Sequence, residues 1–415
     1  MLSDEQSVLL IHTGPGTATG NLLRRHWQPV ALAEDLAERA LIPLRVMGED
    51  LVLFRQESGA LGLLALHCSH RGADLSYGRI EDGGLRCLYH GWLYDGTGRC
   101  LEQPNEIPSN CFAAKIRHPA YPCRQQGGLI FAYLGAGEAP PLPAYEGLAV
   151  PASQRLLQRS IEECNYLQGV EGDLDPSHVS FLHRAMARRL AELEEAGTAG
   201  DIKPWAEYRH TQVEAEETEF GIRVFAVRPA GEGRLFVRIS NFVLPNLDVT
   251  CVDNDGQLFI WHVPIDDLTH HKYMLMFSRA GAIGEEQRAL YRAETAPDGR
   301  RRRNRANRYL QDRASMNDQW FAGMGPYFGV HDSFATESQG AIADRQREHL
   351  GPADVGLIAM RSRLLRAVTE LAQGRAPSSI SAFGPRVPTI TTMLDSRGDW
   401  KSAARAAALE LLAAA

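Results

Sequence analysis

Two short boxes constrain this 415-residue chain more than anything else in it: Cys68-Ser69-His70 and, after a gap of sixteen residues, Cys87-Leu88-Tyr89-His90. Two thiolates and two imidazoles in that arrangement suit a [2Fe–2S] cluster, with the soft sulfurs on one iron and the neutral nitrogens on the other. Exchanging two thiolates for imidazoles removes negative charge from the site and raises its reduction potential above that of an all-cysteine cluster. Ligands supplied by two boxes also demand turns that bring them together. Residues 30–135 have the matching texture, with the short apolar runs LVLF (51–54), LGLLAL (61–66) and GLIFAYL (128–134) punctuated by glycine turns.

The remaining cysteines, Cys100, Cys111, Cys123, Cys164 and Cys251, form no paired framework and read as reduced thiols. The opening MLSDEQSVLLIHTG lacks a basic region before an apolar one, and no window approaches eighteen uninterrupted apolar residues. A cytoplasmic protein with no membrane span is expected. A net charge of −7 gives no global attraction for nucleic acid.

A chain of this length predicts two domains. The Pro- and Gly-rich stretch 135–147 is the clearest boundary. A short helix is expected at 21–27, an interrupted helical region at 161–190, alternating strands over 207–280, and helices at 285–323, 354–374 and 400–415. The fold class is α+β: an all-β cluster domain and a larger mixed domain.

One cluster needs only an ordinary domain of about 100 residues, so the larger domain has its own task. The best candidate is the run from Asn165 through Asp175-Pro176-Ser177-His178 to His183. Two histidines and a carboxylate that leave coordination positions open make the facial triad of non-haem Fe(II) oxygenases, and the open positions are what dioxygen needs. His178 and His183 are five residues apart, about 140° around an ideal helix, so the spacing requires a bend or π-bulge. Asp175-Pro176 also reads as an N-cap followed by proline at the first helical position. For the third ligand the segment 329–345 offers Asp332, Glu337 and Asp344, with His331 a further candidate, and spacing alone does not choose.

Four stretches together resemble the Rieske non-haem iron ring-hydroxylating oxygenases, specifically the catalytic (α) subunits of the phthalate-dioxygenase-like group. They are TGPGT with LLRRHWQPV (within 13–30), HCSHRGADLSYGRIEDGGLRCLYHGWLYDGTGRC (67–100), NYLQGVEGDLDPSHVSFLH (165–183) and ESQGAIADRQREHLG (337–351). The resemblance implies an N-terminal segment (1–28) packing on the catalytic domain and a Rieske domain at 29–138. It also implies a helix-grip (START/Bet v1-like) catalytic domain at 139–415, with an antiparallel sheet and covering helices. Cys68, His70, Cys87 and His90 become the cluster ligands. His178, His183 and Asp332 become the mononuclear iron ligands, Asp332 because the family's aspartate precedes the glutamate matching Glu337 by five residues. Asp175 becomes a bridge that carries electrons between subunits, linking His178 to His90 of a neighbour, so that a homotrimer or a hexamer of stacked trimers is part of the mechanism. His331 before the ligand aspartate and Pro176 after the bridge depart from the family pattern.

A respiratory Rieske subunit would carry an extra cysteine in each box, whereas Tyr89 holds that place here. Trp92 follows His90-Gly91, so a hydroxyl donor to the cluster sulfur is expected to be missing, placing the potential near the negative end of the Rieske range at about −150 mV. Gly14-Pro15-Gly16 lacks a strand–turn–helix context, so NAD(P)H oxidation is expected on a separate flavin and iron–sulfur reductase, acting directly or through a ferredoxin. The family group implies cis-dihydroxylation of an aromatic carboxylate, such as a phthalate isomer or substituted benzoate, with O2. Monooxygenation (O- or N-demethylation, or diaryl-ether cleavage) is the alternative, and a simple Rieske electron carrier the non-enzyme one. A carboxylate substrate calls for arginine; Arg238 in the strand LFVRISNF is the leading candidate, ahead of Arg184, Arg209 and Arg223. The run Arg300–Arg303 reads as a solvated helix face.

Overall fold

A computed structural model describes residues 2–81, 83–252, 254–375 and 387–413. The chain divides into two compact units. The smaller holds His12–Pro143 together with Val263–Asp267, and the larger holds the N-terminus to Ile11, Ala144–His262 and the chain from Leu268 onward.

The smaller unit is built from three small antiparallel sheets. Gln28–Leu32, Leu129–Ala132 and Cys123–Gln126 form one; Leu41–Val46, Glu49–Arg55, Leu61–Ala65 and Ala120–Tyr121 form the second. The third is Arg79–Glu81, Gly84–Arg86, Leu93–Asp95 and Cys100–Glu102. Val52, Phe54, Leu64, Leu75, Leu85, Trp92 and Tyr94 make the core that backs the cysteines.

In the larger unit an antiparallel sheet of eight strands carries the helices. Its edge strand Arg155–Glu162 alternates strictly between half-buried and buried positions, the period-2 signature of a sheet with one face inward. Helix Trp400–Ala413 places Ala404, Ala408 and Leu412, four residues apart, on one face. Ala404 and Ala408 pack with Phe225, Val227, Val237 and Ile239 of the sheet. No helix among the described residues is long and apolar enough to cross a membrane.

Several expectations change. The helix expected at 21–27 is Ala18–Arg24, because the Thr17 hydroxyl accepts the Gly20 N–H and starts it earlier, and a further helix, Asp4–Ile11, precedes it. Of the expected N-terminal segment, residues to Ile11 fall in the larger unit and residues 12–28 in the smaller. The latter are tied there by Asp267, which accepts from Thr13 N–H at 2.9 Å, and by buried Arg24, which pairs with Glu49 at 2.9 Å and donates to Met47 O. The helical region at 285–323 stops at Glu294 and continues as bridges and 3-10 turns. Pro297 and Gly299 follow that helix end, and the run Arg300–Arg303 is no solvated helix face, since Arg301 is 5% exposed and pairs with buried Glu162 at 2.7 Å.

Candidate metal centres

Both cysteine–histidine boxes fold into the same loop. In the first, Cys68 N–H donates to Ala73 O and Gly72 N–H to Cys68 O, with Gly72 at φ +72°. In the second, Cys87 N–H donates to Trp92 O and Gly91 N–H to Cys87 O, with Gly91 at φ +77°. Each loop therefore closes on its own backbone, and each needs its glycine for a left-handed residue. The cysteines are 3% exposed, and the His70 and His90 rings meet edge-on with centroids 4.5 Å apart. Trp92 stacks on His70 at 4.6 Å and fixes its ring.

The donor set fits a two-iron cluster. His70 Nδ1 and His90 Nδ1 are buried without any hydrogen-bond partner, a costly state for an imidazole nitrogen unless it ligates a metal. Tyr94 corrects one expectation. Its hydroxyl lies 3.2 Å from Cys68 Sγ, and burial, with the cysteines behind it, pushes its pKa far up, so it stays a neutral donor. A hydroxyl absent at Trp92 is thus placed beside a cluster-box cysteine two positions later, by the strand.

The second centre assembles around the break after helix Tyr166–Leu174. That helix is capped at its start by Asn165, whose side chain accepts the Leu167 N–H. Its flank lies on the sheet with no room to spare: a Cβ on Gly169 would stand 2.3 Å from His262 Nδ1. Its last turn is tethered by Asp173, held by Lys272 at 2.8 Å and His262 at 2.9 Å. Glu171 on the same helix is buried and takes both Arg345 and Arg361, and Arg361 also pairs with Glu348. The 337–351 motif therefore clamps this helix.

No π-bulge follows. Asp175 leaves the helix in an extended conformation, and His178–Ser180 make a single 3-10 turn, which turns His178 and His183 toward one point. Fully buried Arg228 pins this turn, donating to Pro176 O at 2.7 Å and Ser180 Oγ at 3.2 Å. Its charge within the apolar strand GIRVFAVRP was the overlooked signal.

His178 Nε2 and His183 Nε2 lie 3.1 Å apart, and Asp332 Oδ1 is 3.0 Å from the second and 3.7 Å from the first. Among the described residues, His178, His183 and Asp332 form a group whose ligand atoms all fall within 4.8 Å of one another. Neighbouring ligand atoms on a six-coordinate ion with bonds of about 2.1 Å stand about 3.0 Å apart, so the trio fits one face of such an ion. Burial opposes charge on Asp332, but His183, Lys272 and His178 hold its carboxyl well below the usual range, ionised and ready to ligate.

The other candidates fall away. Glu337 accepts from Tyr309 OH at 2.5 Å and from Glu163 N–H, and Asp344 caps Gln346 N–H. Both ring nitrogens of His331 face backbone carbonyls, Leu182 O at 3.0 Å and Gly325 O at 2.9 Å. Asp175 is not the expected N-cap: it closes the helix Tyr166–Leu174, and Ser177 precedes the His178 turn; its Oδ1 accepts the Ser177 N–H, and Oδ2 stands 3.6 Å from His178 Nδ1.

Comparison with known proteins gives the family. Residues 26–113 match the Rieske [2Fe-2S] domain, and residues 132–409 match the family described as LigXa C-terminal domain like. The chain belongs to the Rieske non-haem iron oxygenases. It is 35% identical over 403 residues to the 5,5'-dehydrodivanillate O-demethylase oxygenase subunit of Sphingobium sp. (strain NBRC 103272 / SYK-6), covering 95% of this chain and 88% of that protein. It is 30% identical to the phthalate 4,5-dioxygenase oxygenase subunit of Pseudomonas putida, covering 97% and 94%. The terminal oxygenase of carbazole 1,9a-dioxygenase from Novosphingobium sp. KA1 shares the fold, with a TM-score of 0.59 at 21% identity, covering 87% of this chain and 96% of that one. This Rieske oxygenase is accordingly an enzyme whose cofactors are a [2Fe–2S] cluster and a mononuclear iron.

Arg238, the expected substrate residue, is already engaged. It donates to Thr250 Oγ1 at 2.8 Å and Cys251 O at 3.2 Å, lies over the Trp205 ring at 5.0 Å, and has Asp201 3.8 Å from Nη1. Arg223 is paired with Glu216.

Proposed function

We propose that this chain is the oxygenase component of a multicomponent system acting on an aromatic carboxylate. Cys68, His70, Cys87 and His90 hold the cluster, and His178, His183 and Asp332 hold the iron. When bound, the iron supplies dioxygen chemistry and the cluster supplies single electrons. The convergence of His178 Nε2, His183 Nε2 and Asp332 Oδ1 carries this reading, because a plain electron carrier has no use for a second centre with open positions.

The chain's own residues then have definite tasks. Asp175 orients His178 through Nδ1 and presents a carboxylate, a quarter exposed, to the partner subunit's His90 in a trimer or stacked hexamer. An anchoring role for Arg238 requires its Nη1, 3.8 Å from the Asp201 carboxylate, to exchange that carboxylate for the substrate's. A separate flavin and iron–sulfur reductase delivers the electrons, directly or through a ferredoxin; carbazole 1,9a-dioxygenase, which shares the fold, has been captured as an oxygenase–ferredoxin complex.

Similarity to the dehydrodivanillate O-demethylase favours O-demethylation over ring cis-dihydroxylation. Anaerobic reconstitution with a reductase and a panel of aromatic acids, followed by 18O2, separates the two. One labelled oxygen with formaldehyde released supports demethylation, whereas a doubly labelled diol supports dihydroxylation. Oxygen uptake uncoupled from product across the whole panel rejects the carboxylate substrate.

A further inference from the structure

The two iron-facing histidines differ in what stands behind them. Behind His178 is the Asp175 carboxylate. Behind His183 is a second imidazole: His331 Nδ1 lies 3.3 Å from His183 Nδ1. We propose that His331 is a positioning residue for the iron centre, accepting the Nδ1–H of His183 and so fixing that ring with Nε2 toward the metal. The inference rests on the proposed assignment of His178, His183 and Asp332 as iron ligands.

The helix Phe328–Glu337 explains how one element serves His183 three times. Phe328 stacks on the His183 ring at 4.4 Å and 15°. His331, one turn later on the same face, reaches its back nitrogen. Asp332, about 100° further round, meets Nε2 from the metal side at 3.0 Å. His331 is fully buried.

Tautomer logic decides the direction of the bond. A His183 that gives Nε2 to a metal carries its proton on Nδ1 and needs an acceptor there. Among the described residues, His331 Nδ1 is the hydrogen-bonding atom that meets it. With its proton on Nε2, a neutral His331 donates to Gly325 O at 2.9 Å and offers the Nδ1 lone pair to His183, making two contacts and leaving Leu182 O, 3.0 Å from Nδ1, without a donor from this ring. With its proton on Nδ1 it serves only Leu182 O, turns N–H against N–H at His183 and leaves a bare nitrogen facing Gly325 O. Two contacts outweigh one. A histidine next to the ligand aspartate thus works as the ligand's partner.

Two amides separate this role from simple packing. The side-chain oxygen of Asn falls near a histidine Nδ1, and the amide of Gln falls near Nε2. His331→Asn therefore keeps an acceptor for His183, His331→Gln keeps only the Gly325 contact, and His331→Leu keeps neither. The readouts are Fe(II) affinity of the full chain, from iron retained against a chelator, and the EPR spectrum of the ferrous–nitric oxide adduct. Cluster absorption serves as the internal control for folding. We expect the Leu and Gln variants to bind Fe(II) 10- to 100-fold more weakly with an altered adduct spectrum, and the Asn variant to stay within about threefold of the parent. Equal loss in Asn and Gln, rescue by Gln alone, or full retention in all three overturns the proposal. His183→Ala distinguishes the failures: if it too retains iron, the ligand assignment is at fault and not the partner role.

Discussion

The loops proposed to hold the cluster and the trio proposed to hold the iron both gather side chains of metal-ligating type, but over very different lengths of chain. The four cluster residues lie within 68–90, and each loop is closed by its own two backbone hydrogen bonds. The iron trio spans residues 178–332 and is aligned by side chains from elsewhere: Arg228 on the turn, Lys272 and His262 on Asp173, Arg345 and Arg361 on Glu171. Ser333, next to Asp332, donates to Glu162 at 2.6 Å, and Glu162 is paired with Arg301. One site is local and carries its support with it. The other is tertiary, and is as good as the packing around it.

This contrast is open to direct attack. The largest effect is expected from Asp332→Ala: iron lost and oxygenation reduced by at least about 1000-fold, with cluster absorption and acid-labile sulfide unchanged. Loss of both metals would break the distinction between the sites. Glu171→Ala leaves two buried guanidinium groups without their shared carboxylate and should destabilise the larger unit by about 3–5 kcal/mol. In urea unfolding, iron should leave early while the cluster signal keeps its own midpoint; a common shift of both would show that the units are not independent.

Asp175→Asn sharpens the comparison at the point where the proposed circuit joins the two centres. Both metals should stay, and turnover should fall by about 100-fold. Near-normal turnover would reject the bridge. The smallest effect is Tyr94→Phe, which removes the hydroxyl beside Cys68 Sγ. A loss of about 1 kcal/mol in favour of the oxidised state lowers the cluster midpoint by about 40 mV without touching iron content. An unchanged midpoint in protein-film voltammetry would mean that this hydroxyl does not bond the sulfur.

Legibility in the sequence follows the same division. The boxes could be read directly because a loop that closes on itself leaves its glycines and ligands at fixed spacing. His178 and His183 could be read as a pair, yet their spacing suggested a distorted helix where the chain ends one helix and makes a 3-10 turn. Asp332, His331, Glu337 and Asp344 were equivalent on spacing, and resemblance had to choose among them. Arg301 was misread for a related reason: four arginines in a row look solvated until a buried glutamate from a distant strand claims one of them.

The sequence by itself determined the chemistry of this protein, two thiolates with two imidazoles and a distant pair of histidines, because metal preference depends on donor type. Only the tertiary structure decided which atoms face a metal and which stand behind it. Asp332 and His331 are neighbours in the chain, but helical rotation sends one to the metal side of His183 and the other to its back. Tyr94 reaches a cysteine sulfur by the same kind of accident of strand geometry. Direction in space depends on the elements that carry each residue, and those are fixed by packing far from the motif.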